Sequence, residues 1–68
     1  MQISYNKLWK KLIDKGWNKT EFRDHVHMSS STLAKLSKNQ EVTMEVLMRI
    51  CETLECGVED IVEFVEEK

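Results

Sequence analysis

The sequence predicts an all-α domain, a bundle of five short helices around one small core, and three observations lead there. The first is a device that recurs along the chain: an apolar residue, a residue able to cap a helix, three further positions, and another apolar residue. This is the hydrophobic staple, in which the residue before an N-cap packs on the fourth residue of the helix it opens. It occurs as Ile3-Ser4…Leu8, Trp17-Asn18…Phe22, Met28-Ser29…Leu33, Val42-Thr43…Leu47 and, with glycine as a weaker cap, Cys56-Gly57…Ile61. The second is that each staple opens a segment whose apolar residues recur at helical spacing. The third is composition: no proline, two glycines and 41% hydrophobic residues in 68 positions describe a compact globular chain. That length makes one domain, residues 1–68, close to the lower limit at which a hydrophobic core alone holds a fold.

The first helix, over about residues 5–15, gathers Tyr5, Leu8, Trp9, Leu12 and Ile13 on one arc and Lys7, Lys10, Lys11 and Asp14 on the other. Gly16 suits the left-handed position that closes it. The second helix starts at Lys19: Asn18 is its N-cap, Glu21 completes a capping box, and Phe22 and Val26 share its inner face. Ser29 caps the third helix, over about 30–38, where Leu33 and Leu36 turn inward and Ser31, Ala34, Lys35 and Lys38 turn outward. Two short amphipathic helices joined by a break of three to four residues are a helix-turn-helix pattern. A fourth helix spans about 44–55, with Leu47, Ile50, Cys51 and Leu54 inward, and Cys56-Gly57 ends it. Beyond that, Val58, Ile61, Val62 and Val65 fit a helical series, whereas Val62, Phe64 and the acids between them also fit a short strand.

The net charge of -2 conceals a division by position. Residues 1–40 carry eight basic side chains against three acidic ones, for +5, and residues 41–68 carry nine acidic against two basic, for -7. Such a chain orients itself in an anionic field with its acidic half turned away.

Other chemistries find little support. No apolar run approaches a membrane span and no leader precedes the domain, so cytoplasmic residence is expected. Cys51 faces the core as a small hydrophobe, which argues against a disulfide framework. His25 and His27 with Cys51 and Cys56 have the wrong spacing for a Cys₂His₂ zinc site, so neither metal nor cofactor is expected. Trp9 and Trp17 sit at packing and staple positions and not on a base-stacking platform. No nucleophile has a recognisable base partner, so the chain is not expected to be an enzyme.

The run Asn18-Lys-Thr-Glu-Phe through Ser29-Ser-Ser-Thr-Leu-Ala-Lys-Leu, then Val42-Thr43 and the Leu47…Ile50…Leu54 series, resembles the phage repressor and Cro type of helix-turn-helix protein, also called the XRE family. The resemblance covers nearly the whole chain and is strongest to small single-domain bacterial members, which similarly begin with a Tyr-x-x-Leu-Trp helix and end in a short Asp-Ile-Val-like helix. It implies a five-helix, repressor-like all-α bundle acting as a sequence-specific DNA-binding transcriptional regulator. The third helix would lie in the major groove of double-stranded DNA, with the second braced across the phosphate backbone. Carried over by position, base reading falls on Ser30, Ser31 and Lys35, and phosphate contact on Lys19, Ser29, Lys38, Asn39 and Thr43. Short polar side chains let a helix approach base edges, and a lysine reaches guanine O6 and N7. Two residues depart from the family pattern. His27 stands where glycine is usual, and histidine tolerates a left-handed turn there less comfortably than glycine, so either the turn differs or it is slightly strained. Arg23 replaces a small residue and must carry its guanidinium to the surface, where it is a candidate phosphate contact.

Two serines and one lysine select a site poorly on their own, so a homodimer on a pseudo-palindromic operator is expected. Its surface would be the C-terminal segment, Val58, Ile61, Val62, Phe64 and Val65. The alternative function is a protein-interaction module, such as an antitoxin or anti-repressor subunit working through the acidic half. Retention on duplex DNA as salt is raised separates the two.

Overall fold

Four α-helices form where capping residues and apolar spacing coincide. In the computed structural model, which describes residues 1–66, they are α1 (Asn6–Lys15), α2 (Lys19–Val26), α3 (Ser30–Ser37) and α4 (Met44–Leu54). The last two positions of the expected 1–68 domain lie outside the described residues. Asn18 and Glu21 form the capping box: the Glu21 N–H donates to Asn18 Oδ1 at 2.8 Å and the Asn18 N–H donates to Glu21 Oε1 at 3.0 Å. Ser29 caps α3 by accepting the Thr32 N–H at 3.2 Å, and Thr43 caps α4 by accepting the Val46 N–H at 3.3 Å. Gly16 closes α1 in the left-handed region at φ 74°, and His27 closes α2 there at φ 62°, so the turn keeps that conformation without glycine. The left-handed residue after α4 is Glu55, at φ 53°, and not Gly57.

The fifth α-helix does not form. After Gly57 the chain makes one 3-10 turn (Val58–Asp60) and then extends into a strand. That strand, β2 (Glu63–Val65), pairs antiparallel with β1 (Gln2–Ser4) in the register Gln2 with Val65, Ile3 with Phe64 and Ser4 with Glu63. The fold is therefore mainly helical with a two-stranded sheet closing its ends, which corrects the all-α, five-helix expectation. The physical reason lies in residue type. Ile61, Val62, Phe64 and Val65 are β-branched or aromatic, poor in helix and favoured in strand, and Gln2–Ser4 supplies the partner ladder that a lone three-residue strand needs. The same pairing displaces the cap of α1. Ser4 is buried in β1, and its hydroxyl accepts the Asn6 N–H at 3.3 Å while Tyr5 holds the N-cap position.

One core unites the elements. Tyr5 and the α1 residues Leu8 and Leu12 meet Phe22 and Val26 of α2, Met28, Leu36 of α3, Ile50 and Leu54 of α4, and Ile61. Trp9 packs edge-on against Phe22, with ring centroids 6.3 Å apart. Ile13, expected on the inner arc, is 76% exposed, because the buried stripe of this ten-residue helix runs along Leu8 and Leu12 and leaves Ile13 beyond its edge. Among the described residues no helix is long and apolar enough to cross a membrane.

Candidate nucleic-acid interface

Hydrogen bonds tie the joints of the helix-turn-helix to the rest of the fold. Arg49 of α4 donates through Nη1 to the His27 carbonyl at 3.4 Å and through Nη2 to Glu45 at 2.7 Å, tying the α2–α3 turn to α4. On the other side of α3, the loop to α4 is held by Tyr5. Its hydroxyl donates to the Gln40 carbonyl at 2.8 Å, and its backbone N–H donates to Asn39 Oδ1 at 3.2 Å. Burial, and then the Glu41 carboxylate, push the Tyr5 phenol above its ordinary pKa, so it holds its proton and remains a donor.

Against that frame the expected contact residues separate into two sets. Ser31, Lys35 and Lys38 stand exposed on α3 and its C-cap, and neither ammonium enters an ion pair among the described residues. Lys19, at the first position of α2, is held at the meeting point of three helices: its ammonium donates to Ser37 Oγ at 3.2 Å and lies 4.5 Å from the centroid of the Trp9 ring. The second set is committed to the fold. The Ser29 hydroxyl accepts the Thr32 N–H and lies 3.0 Å from both Ser31 Oγ and Thr32 Oγ1, which uses a hydroxyl's one donor and two acceptor sites. Thr43 Oγ1 accepts in its cap, and its hydroxyl proton is left to donate. Asn39, left-handed at φ 57°, gives its carbonyl oxygen to Tyr5.

Ser30 falls in neither set. Its hydroxyl accepts from Arg23 Nη1 at 2.9 Å, so the residue that departs from the family pattern in α2 reaches the first turn of α3. Sequence reasoning placed Arg23 at the surface without this partner. Trp9 and Ser37 were missed as supports for Lys19, because nothing in their spacing links three separate helices.

The cysteines bracket the end of α4. The Cys56 N–H donates to the Cys51 carbonyl at 3.0 Å, both thiols are free and half-buried, and burial with neighbouring Cys56, Glu59 and Asp60 pushes the Cys51 thiol up in pKa. His25 lies stacked on Trp17 at 4.1 Å. In the C-terminal segment Ile61 is fully buried, so it belongs to the core and is withdrawn from the expected dimer surface. Phe64, by contrast, is 70% exposed. It lines an apolar groove with Ile3, Val42, Met44, Leu47, Val58 and Val62, and Met44, Leu47 and Val58 continue the same groove towards Met48 and Cys51.

The model of the Cro/C1-type helix-turn-helix DNA-binding domain matches residues 7–67. The chain belongs to that family. The crystal structure of the transcriptional regulator VanUg superposes on this chain with a TM-score of 0.92 at 52% sequence identity, over 97% of this chain and 88% of that one. No curated protein matches the chain significantly. In this Cro/C1-type, or XRE-type, domain the helix-turn-helix is α2, the turn at His27 to Ser29, and α3. The family match begins at Lys7, so the strand β1 lies ahead of it.

Proposed function

We propose that the chain acts as one sequence-specific DNA-binding domain that regulates transcription by occupying an operator, with α3 in the major groove and α2 braced across the backbone. The observation that carries this reading is the outward face of α3, where Ser31 and Lys35 stand exposed opposite the buried Leu36, beside a lysine fixed at the start of α2. Ser30, Ser31 and Lys35 read base edges in this scheme. Lys19 and Lys38 contact phosphate, with Lys19 prepaid in conformational entropy by Trp9 and Ser37. Ser29, Asn39 and Thr43 serve the caps and the Tyr5 joint through their acceptor oxygens, and the Asn39 amide N–H groups and the Thr43 hydroxyl proton remain as donors to phosphate. The basic first half of the chain supplies the attraction and the acidic half the orientation.

Two copies bind together in this reading. Met44 at 69% and Met48 at 60% exposure join Val58 and Phe64 along the groove, an apolar surface that single-chain folding leaves uncovered. A two-fold contact there, with Val62 and Val65 behind it, doubles the base contacts and sets half-sites about one helical turn apart.

The test is retention on duplex DNA as salt is raised, followed by selection of bound sites from random duplexes. Steep loss of retention with salt and enrichment of a pseudo-palindrome are expected; no retention even at low salt would favour the protein-interaction alternative. Sedimentation of the parent against Phe64→Glu tests the assembly: a monomeric parent bound to one half-site rejects the dimer.

A further inference from the structure

Arg23 stands where the family usually carries a small residue, and what it touches is specific. Its Nε and Nη2 both donate to Asp24 Oδ1, at 3.3 and 3.2 Å, and its Nη1 donates to Ser30 Oγ at 2.9 Å. A guanidinium carries five N–H groups in a rigid planar fork. Three are engaged here, and the two that remain lie on the terminal nitrogens, Nη1 and Nη2. The carboxylate thus holds the Nε side of the fork, the serine steers its tip, and the tip keeps a donor on each nitrogen.

We propose that Arg23 is a specificity-determining residue, presented from α2 across the turn to the first turn of α3 so that its terminal fork reads a guanine through O6 and N7. The proposal rests on α3 entering the major groove by its N-terminal turn, which is where Ser30 stands. Two acceptors side by side on a base edge are what a planar fork pairs with, and no lysine reproduces that geometry.

Charge decides between base and phosphate. Arg23 and Asp24 form an ion pair at 3.2 Å, and the Asp24 side chain is largely exposed beside it. A paired cation brings little net charge to a phosphate, and the adjacent carboxylate repels one. A neutral acceptor pair on a base feels no such repulsion and gains a fork already held in one orientation. Ser30 therefore acts in part as a positioning residue, its hydroxyl accepting from Arg23 while its proton remains free to donate.

The experiment compares the parent chain with Arg23→Ala, Arg23→Lys and Asp24→Ala by site selection from random duplexes. Titration follows on the selected site and on a version with the guanine replaced by adenine, at several salt concentrations. Thermal unfolding of each variant establishes that it folds, and Arg23→Lys covers the case in which the alanine variant does not. Discrimination for guanine at one position per half-site should fall by about 5- to 150-fold in Arg23→Ala and nearly as far in Arg23→Lys, which keeps the charge and loses the fork. Asp24→Ala should bind all sequences more tightly and show a weaker guanine preference. An unchanged selected sequence in both Arg23 variants overturns the proposal. So does a uniform loss on every sequence with a salt slope smaller by about 0.9, the mark of a phosphate contact. A parent that enriches no sequence at all rejects the DNA-reading proposal itself, which keeps the two failures distinct.

Discussion

Replacing Tyr5 by phenylalanine isolates one hydrogen bond on which the placing of the α3–α4 loop depends. The ring is buried and stays, so no cavity opens. What is lost is the hydroxyl that donates to the Gln40 carbonyl at 2.8 Å. A neutral hydrogen bond contributes a net of about 0.5–1.5 kcal/mol. Gln40 is an exposed residue and the bond is only part-buried, so the full penalty of a deeply buried orphan acceptor does not apply. The expected loss is therefore about 1 kcal/mol, seen as a fall in Tm of about 4–8 °C for a domain of this size. The pH dependence carries a sign. Burial and Glu41 raise the phenol pKa in the fold above the ordinary value of 10.0, so the neutral form is preferred there. The contribution is fully present below the unfolded pKa and is lost as pH rises through the folded one. Denaturant unfolding of parent and variant, measured in parallel from neutral pH to about pH 11, should show the parent's advantage shrinking above about pH 10. Lysine titration is common to both proteins and cancels in the difference. Equal stability at neutral pH, or a gap that stays constant through the alkaline range, refutes the reasoning.

Lys35→Ala should weaken binding to the selected site by about 1–3 kcal/mol and relax one base-pair preference while leaving Tm nearly unchanged; undiminished binding would move base reading off that face. Lys19→Gln should weaken binding to all sequences alike and reduce the salt slope by about 0.9, read from titrations at several salt concentrations. Loss confined to one operator variant would place Lys19 among the base readers instead. Asn18→Ala removes the side-chain half of the capping box, the Oδ1 that accepts the Glu21 N–H, while the backbone N–H of residue 18 can still donate to Glu21, and should cost about 0.5–2 kcal/mol in denaturant unfolding; a stability equal to the parent's would show that the side-chain cap adds nothing to the fold.

The helix starts were legible because a cap is a local event. Asn18 with Glu21, Ser29 and Thr43 each satisfy a backbone N–H within three residues, so the identities of neighbouring side chains suffice to place α2, α3 and α4. The left-handed His27 was legible only as one of two outcomes, because the residue type alone does not decide whether a turn without glycine keeps that conformation. The C-terminus was not. Val58 to Val65 satisfy a helical period and a strand alternation at once, and the deciding partner, Gln2–Ser4, lies at the far end of the chain. A residue pattern contains its own period and no record of which distant strand will pair with it.

The candidate interface divides along the same line. Exposure of Ser31 and Lys35 follows from helical geometry, because Leu33 and Leu36 fix which way α3 faces. What each polar atom does once exposed depends on neighbours brought in by the fold. The oxygens of Ser29, Asn39 and Thr43 accept from Thr32, Tyr5 and Val46, so what Asn39 and Thr43 keep for a phosphate is their donor side, the amide N–H groups and the hydroxyl proton. A hydroxyl or amide bound within the fold offers DNA only the sites that remain. By the same accounting Lys19, which its position alone makes a candidate for phosphate contact, is oriented by Trp9 and Ser37 on two other helices. Arg23 gains an unspent fork from Asp24 and Ser30. The helix-turn-helix is thus named by its caps and its periodicity, whereas the sequence it selects depends on which donors those internal bonds leave over.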